Sequence, residues 1–189
     1  MNDDLFLRGH RVPMTKEPVR LLALERLDLR DARRLIDVGA GTGSISIEAA
    51  LRHPNLQVIA IERNDAALGL IHENCQRFGC HNVQIVAGIA PQPMEENADA
   101  IFIGGSGGKL NELIDWSLQH LPAGGRLVMT FILLENVTQA LSHLQKCPVA
   151  QLDCCEIQLS SLTTLGQGHY FKPNNPAYLI SCQKEECCA

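Results

Sequence analysis

The chain has 189 residues, 46% of them hydrophobic, with a formal charge of −5. That is enough sequence to bury a sizeable core in one domain spanning residues 1–189, with no second domain required. The N-terminus, MNDDLFLRGH, has acids where a signal peptide carries bases, no run approaches a membrane span, and the acidic balance speaks against nucleic acid as the main partner. The expectation is a cytoplasmic protein with neither a membrane nor a nucleic-acid partner.

The charge is unevenly placed. Residues 1–34 carry a net +2 and the rest −7. Alternating charges from Arg26 to Arg34 read as a solvated helical stretch. Arg8, His10, Arg11 and Lys16 precede any helix and are harder to explain that way. Thr15 is expected to cap a first helix whose early turn tolerates Pro18, with Val19, Leu21, Leu22, Leu24 and Leu27 as its apolar side.

From Leu35 onward, short apolar runs alternate with helical stretches. LIDVG leads to a helix from Ser44 to Leu51, VIAIE to one from Ala66 to Phe78, and VQIVAG comes next without a helix of its own. ADAIFIGG leads to a helix from Lys109 to His120, and RLVMTFI to one from about Glu135 to Leu144. This alternation predicts an α/β fold with a mostly parallel sheet and helices on both faces. Near the end, AQLDCCEIQLSSL and AYLISCQ read as two strands separated by the turn-rich GQGHYFKPNNP, so a C-terminal antiparallel hairpin is expected at the sheet edge. KEECCA reads as a frayed end.

The eight cysteines include two adjacent pairs and no C-x-x-C, and no two histidines stand at the i, i+4 spacing common among zinc ligands. Reduced thiols and no metal are expected.

The stretch LIDVGAGTGSISIEAA places Gly39, Ala40, Gly41, Thr42 and Gly43 between a strand and a helix. Open α/β sheets bind ligands at such a turn. Ser44 stands where the dinucleotide fingerprint G-x-G-x-x-G needs its last glycine, so the pattern is G-x-G-x-G instead. Asp37, before the first glycine, would repel a pyrophosphate but accepts hydrogen bonds from an ammonium group. Glu62 closes the next strand, where a carboxylate receives ribose hydroxyls in NAD enzymes and in others alike. Together these residues point to S-adenosyl-L-methionine: ribose, adenine, sulfonium and amino acid, with no phosphate. Gly88 to Pro91 would sandwich the adenine, and Gly104, Gly105 and Ser106 would lie beneath the transferable methyl.

With these motifs, the chain resembles the class I S-adenosylmethionine-dependent methyltransferases. It is more closely similar to the decarboxylating cobalt-precorrin methyltransferases of anaerobic cobalamin biosynthesis. FLRGHRVPMTKEPVR, IDVGAGTGSISIEAA, IERN, the G-x-A-P turn, IFIGGSGG and FKPNNPAYLIS carry that resemblance over nearly the whole chain. The resemblance implies a Rossmann-like sheet, a homotetramer, and methylation of a meso carbon of a corrin precursor coupled to loss of an acetate carboxyl. It also implies cofactor contacts from Thr15, from Gly39 through Gly43, and from Glu62 and Ala90. Ile89 departs from the acid expected of relatives in the third strand turn, so an adenine amino contact there must come from backbone.

A corrin precursor is a polycarboxylate, for which Arg8, Arg11, Lys16 and Lys109 are the candidate cations and Ser106 a further contact. His169, Tyr170 and Lys172 are weaker candidates. NNPAY has the form of the Asn-Pro-Pro-Tyr loop of amino methyltransferases, but that loop belongs after the fourth strand, and Pro176 reads as the entrance to the final strand. An RNA methyltransferase and a non-catalytic cofactor-binding subunit stay open as other readings.

Overall fold

The structure, a computed structural model, describes residues 1–10, 12–94 and 97–186. After a 3-10 turn at Asp3–Leu5, the elements in order are α1 (Glu17–Leu27), β1 (Arg34–Val38), α2 (Ser44–Arg52), β2 (Gln57–Glu62), α3 (Asp65–Phe78) and β3 (Val83–Ala87). They continue with β4 (Ala100–Ile103), α4 (Leu110–His120), β5 (Arg126–Phe131), α5 (Leu134–Leu144), β6 (Val149–Ile157), β7 (Ser160–Leu165), β8 (Gly168–Pro173) and β9 (Ala177–Lys184). Seven strands form one sheet in the order β3-β2-β1-β4-β5-β9-β6. Its first five strands run parallel, and β9 enters antiparallel between β5 and β6.

Both faces of the sheet are covered, which is why the inner strands read as unbroken apolar runs. The pleat sends alternate residues to opposite layers. Ala100 and Phe102 of β4, with Val128 and Leu179, pack under α1 and α2 against Ala23, Leu27, Ile45 and Ala49. Ile101, Ile103, Leu127, Met129 and Ile180 face the other way, onto Leu113, Ile114, Val137 and Ala140 of α4 and α5. None of the helices among the described residues is long and apolar enough to cross a membrane.

Three expectations need correction. Thr15 does not cap α1. Lys16 holds the N-cap position with no side-chain cap bond, and the Thr15 carbonyl instead accepts from Arg20 Nη1 at 2.5 Å and from Ser44 Oγ at 3.4 Å. The charged stretch after Arg26 is not helical beyond Leu27, because Asp28 turns into the left-handed region at φ 48°. The C-terminal hairpin is in two parts: β6 and β9 pair within the main sheet, while β7 and β8 leave it as a separate two-stranded ribbon. AQLDCCEIQLSSL is therefore two strands, and GQGHYFKPNNP contains a third. Of the tail, Cys187 to Ala189 lie outside the described residues.

Candidate active site

Chain order reverses between β2-β1 and β4-β5, so the loops after β1 and β4 part and leave a crevice at the carboxyl ends of the strands. The glycine turn occupies it. Gly39 and Gly41 both take positive φ, 73° and 58°, which a side chain disfavours. Close packing makes the requirement stricter. A Cβ on Gly39 would stand 2.9 Å from the Gly105 backbone nitrogen, and one on Gly41 2.6 Å from the Pro13 carbonyl oxygen. The turn can thus be approached on one side by the β4–α4 loop and on the other by the N-terminal segment. Gly43 is the N-cap of α2.

Glu62 holds the turn in place. One of its carboxylate oxygens accepts the Gly41 N–H at 2.9 Å, and the other accepts those of Arg63 and Asn64 at 2.8 and 2.9 Å. Its side chain lines a cleft of about 270 Å³ together with Gly39, Gly41, Gly88, Ala90, Gly104 and Ser106. Those seven predicted residues come from the ends of four strands, and the fold brings them together. Gly88 tucks against Glu62, donating its N–H to the Glu62 carbonyl at 2.9 Å. Pro13, Arg63, Asn64 and Gly107 also line the cleft. Sequence reasoning missed them as site residues, although IERN and PMTK adjoin the residues it chose.

Asp37, Ala40 and Thr42 are not among the residues that line this cleft. Asp37 is 1% exposed. Its Oδ2 accepts from Ser46 Oγ at 2.5 Å, and its Oδ1 has no hydrogen-bond partner among the described residues. Burial pushes its carboxyl up to about 7, against the pull of the Ser46 hydrogen bonds and with a smaller push from Glu62. Thr42 is also buried, its Oγ1 without a hydrogen-bond partner among the described residues, while its carbonyl accepts from Asn74 Nδ2 at 3.0 Å.

A second cavity, of about 560 Å³, shares Pro13 and Gly104 with the first. Thr15 and Lys16 stand on one side, and Leu159, Asn174, Asn175 and Ala177 on another. Val19, Phe131, Ile132 and Ile157 give it an apolar lining. Lys16 reaches across it, donating from Nζ to Asn174 Oδ1 at 3.2 Å. Asn174 is held in turn, its backbone N–H on the Leu159 carbonyl and its Nδ2 on Ser161 Oγ at 3.2 Å. Pro176 does stand immediately before β9, yet the two asparagines ahead of it are cavity residues. The other predicted cations sit elsewhere. Arg8 is half exposed and paired with Asp4 at 3.4 Å; Lys109 is similarly exposed and 3.7 Å from Glu112. Neither lines either of these two cavities, and Arg11 lies outside the described residues.

The segment that separates the two cavities is anchored by a polar network no sequence pattern announced. Arg20 is fully buried. It donates to Glu48 at 2.6 Å, to Asp3 at 2.9 Å, and to the carbonyls of Thr15 and Met1, each at 2.5 Å. Its guanidinium also lies 5.1 Å from the centre of the Phe6 ring. Burial would raise the Glu48 carboxyl, but hydrogen bonds from the Met1 amine, Arg20 and Arg52 outweigh it and hold that carboxyl below its ordinary range. Asn74 adds a second tie, exchanging hydrogen bonds with Leu7 at 2.7 and 3.1 Å.

Residues 6–184 match the family model described as a precorrin methyltransferase domain. This chain belongs to that family. It is 63% identical over 186 residues to the cobalt-precorrin-6B C(15)-methyltransferase (decarboxylating) of Salmonella typhimurium, covering 98% of this chain and 97% of the relative. Among solved structures, the precorrin-6y C5,15-methyltransferase of Geobacter metallireducens superposes with a TM-score of 0.90 at 33% identity, over 97% of this chain and 96% of that one. The precorrin 8w decarboxylase of Methanobacterium thermoautotrophicum gives 0.88 at 31% identity, over 96% and 98%. The family resemblance drawn from the motifs is thereby confirmed, as is the Rossmann-like methyltransferase fold. The family's methyl donor is S-adenosylmethionine, and the precorrin methyltransferase domain spans both cavities.

Proposed function

We propose that this chain transfers a methyl group from S-adenosylmethionine to a meso carbon of a cobalt-precorrin and removes the carboxyl of an acetate side chain, in the cytoplasm, as a step in cobalamin biosynthesis. The observation that carries the reading is the pair of adjoining cavities. One is built on a G-x-G-x-G turn braced by a carboxylate, and the other is larger, mostly apolar and provided with a lysine.

The residues in and next to the first cavity fit the cofactor. Gly39 and Gly41 leave room that a Cβ would fill, Glu62 offers a largely buried carboxylate for ribose hydroxyls, and the unpartnered Asp37 Oδ1 offers an acceptor toward the amino acid end, directly or through water. Gly88 and Ala90 would flank the adenine, Gly104 and Ser106 the methyl, and Thr15 the mouth. Bound there, the cofactor supplies an electrophilic methyl on a sulfonium whose sulfur leaves as a neutral thioether. No nucleophilic side chain is required for such a transfer, only alignment and exclusion of water. Pro13 and Gly104, common to both cavities, define where the two reactants meet.

Loss of carbon dioxide breaks a carbon–carbon bond and leaves its electron pair in the conjugated ring, with a proton taken up afterwards. An ionised carboxylate is stabilised by water, so Phe131, Ile132 and Ile157 favour this step by removing it. Lys16 would hold a different carboxylate and fix the ring's orientation.

We also take the chain to be a homotetramer. Leu162, Leu165 and Phe171 of the ribbon are 62%, 71% and 69% exposed, more apolar surface than an isolated ribbon needs and suited to a second copy. Light scattering that returned a monomer mass at working concentration would end that part of the reading.

The enzyme assignment is tested by incubating the protein with methyl-labelled cofactor and cobalt-precorrin-6B. The expected product carries the label and has lost one carbon dioxide. Cofactor binding with neither change in the substrate would sink the catalytic reading.

A further inference from the structure

Helices α4 and α5 run parallel on the sheet face away from α1 and α2, and their seam is polar at regular intervals. Gln139 Nε2 donates to Asn111 Oδ1 at 3.1 Å, and one turn further His143 Nε2 meets Asp115 Oδ1 at 2.6 Å. The chain then tightens. Lys146 and Cys147 donate their backbone N–H groups to the His143 and Leu144 carbonyls, each at 3.0 Å, and this turns the half-buried Cys147 back over His143, with Sγ 3.4 Å from the His143 oxygen. The potential ligand atoms of Asp115, His143 and Cys147 all lie within 4.8 Å of one another. No step of the proposed reaction uses them.

We infer that Asp115, His143 and Cys147 form a binding site for a divalent transition metal of the zinc class, with water completing the coordination. One carboxylate, one imidazole and one thiolate make a mixed donor set that suits zinc or cobalt and offers magnesium or calcium little. Metal–ligand lengths of about 2.0–2.3 Å put tetrahedral donor atoms roughly 3.3–3.7 Å apart. The aspartate and histidine must therefore separate slightly and the thiol close in, movements within reach of side-chain rotation on a seam where Asp115 is 52% and His143 22% exposed. Binding displaces the thiol proton and the hydrogen bond between Asp115 and His143. Histidine spacing alone hides the site, because its i, i+4 pair is His143 with a cysteine.

The effect would be to clamp α4 to α5. The segments leading into these helices, Gly105 to Gly107 and Phe131–Ile132, line the two cavities. The inference is independent of what those cavities bind.

Titration of the metal-free protein with Co2+ in a thiol-free reductant tests it. One equivalent should produce a thiolate-to-cobalt charge-transfer band that Zn2+ abolishes. C147S should lose the band, and C154S, which removes an exposed thiol on β6, should keep it. H143A and D115N should weaken binding by more than the roughly ten- to hundredfold that loss of an outer partner costs. D115N matters because its remaining oxygen still accepts from His143, so a mere surface pair would barely register the change. Melting measured in parallel should show Zn2+ stabilising the wild type and not H143A, with all variants folded in the absence of metal. No band at one equivalent, or a band lost in C154S and kept in C147S, overturns the proposal.

Discussion

The glycine-turn region of the main sheet and the separate two-stranded ribbon are built on opposite plans. Around β1 and β2 the chain is clamped: the glycine turn lies against backbone on both sides, Glu62 receives three N–H groups, and Arg20 fastens the N-terminal segment with a buried ion pair. Between β6 and β9 in the chain, the ribbon of β7 and β8 has exposed positions along most of its length, with every residue of β8 exposed. The first region offers one conformation to a ligand common to many enzymes. The second presents a surface whose shape is completed by what it meets. A site for the methyl donor needs the first plan, and recognition of a large ring is compatible with the second.

The contrast can be broken most severely at Arg20. Removing one member of a buried ion pair costs about 3–5 kcal/mol, because the other charge is left uncompensated. Arg20→Ala should therefore lower Tm by on the order of 10 °C in a domain of this size, with looser cofactor binding as the Pro13–Lys16 segment comes free. A thermal scan showing Tm within a degree or two of wild type would mean the network anchors nothing. Next in size is a matched pair of glycines. Gly41 and Gly166 have nearly the same φ, 58° and 60°, so alanine costs each about 1–2 kcal/mol of backbone strain. Of the two, only Gly41 would bring its new Cβ against an atom, the Pro13 oxygen; at Gly166 nothing among the described residues lies within 4 Å. Calorimetry should show Gly41→Ala losing cofactor affinity by roughly ten- to hundredfold, and Gly166→Ala keeping it within about twofold. Equal losses would contradict the packing argument.

Asp37 supplies a pH-dependent version of the same test. Its folded carboxyl titrates at about 7 against an ordinary 3.8, so between those values the folded state holds a proton the unfolded state has released. The contribution is fully present below about pH 4 and is lost as pH rises through about 7, at up to roughly 1.4 kcal/mol per unit. Asp37→Asn, which cannot ionise, should flatten that fall in a series of melts. Cofactor affinity should move the other way, rising between about pH 6 and pH 8 as the carboxylate forms to meet an ammonium group. Parallel pH profiles for wild type and variant, in either measurement, would refute the role given to Asp37.

What the sequence disclosed follows the same divide. The parallel strands and their helices were legible because periodicity is local and both sheet faces are buried, and the seven cleft residues followed from where strands end. Arg20 was not legible. Its carboxylate partners stand 17 and 28 residues away, and no local pattern singles it out beside Leu21 and Leu22. Lys16 displaced Thr15 as the cap because Thr15 spends its carbonyl on Arg20 and Ser44. The ribbon was hidden by composition: β8 has no buried side and is bounded by glycines and Pro173, so neither alternation nor an apolar run marks it. Asn174 and Asn175 fall in a segment whose composition suggests only a turn, and the contact of Asn174 with Lys16 joins positions 158 apart in the sequence.

That contact is where the two regions touch, and it gives the smallest and most selective effect. Lys16 belongs to the clamped segment and Asn174 to the loop leading from the ribbon into β9. If the second cavity holds the ring, Lys16→Ala removes a carboxylate partner and should raise the substrate KM by about five- to tenfold, near 1 kcal/mol, while cofactor affinity stays within twofold. Asn174→Ala leaves the charge but frees the side chain, so a rise of only about two- to threefold is expected. The double variant should resemble Lys16→Ala alone, since the asparagine acts through the lysine. Steady-state kinetics with each substrate varied in turn separates the outcomes. Should Lys16→Ala weaken the cofactor as much as the substrate, the lysine serves the clamp and not the ring, and the boundary between the two regions would have to be drawn on the far side of Pro13.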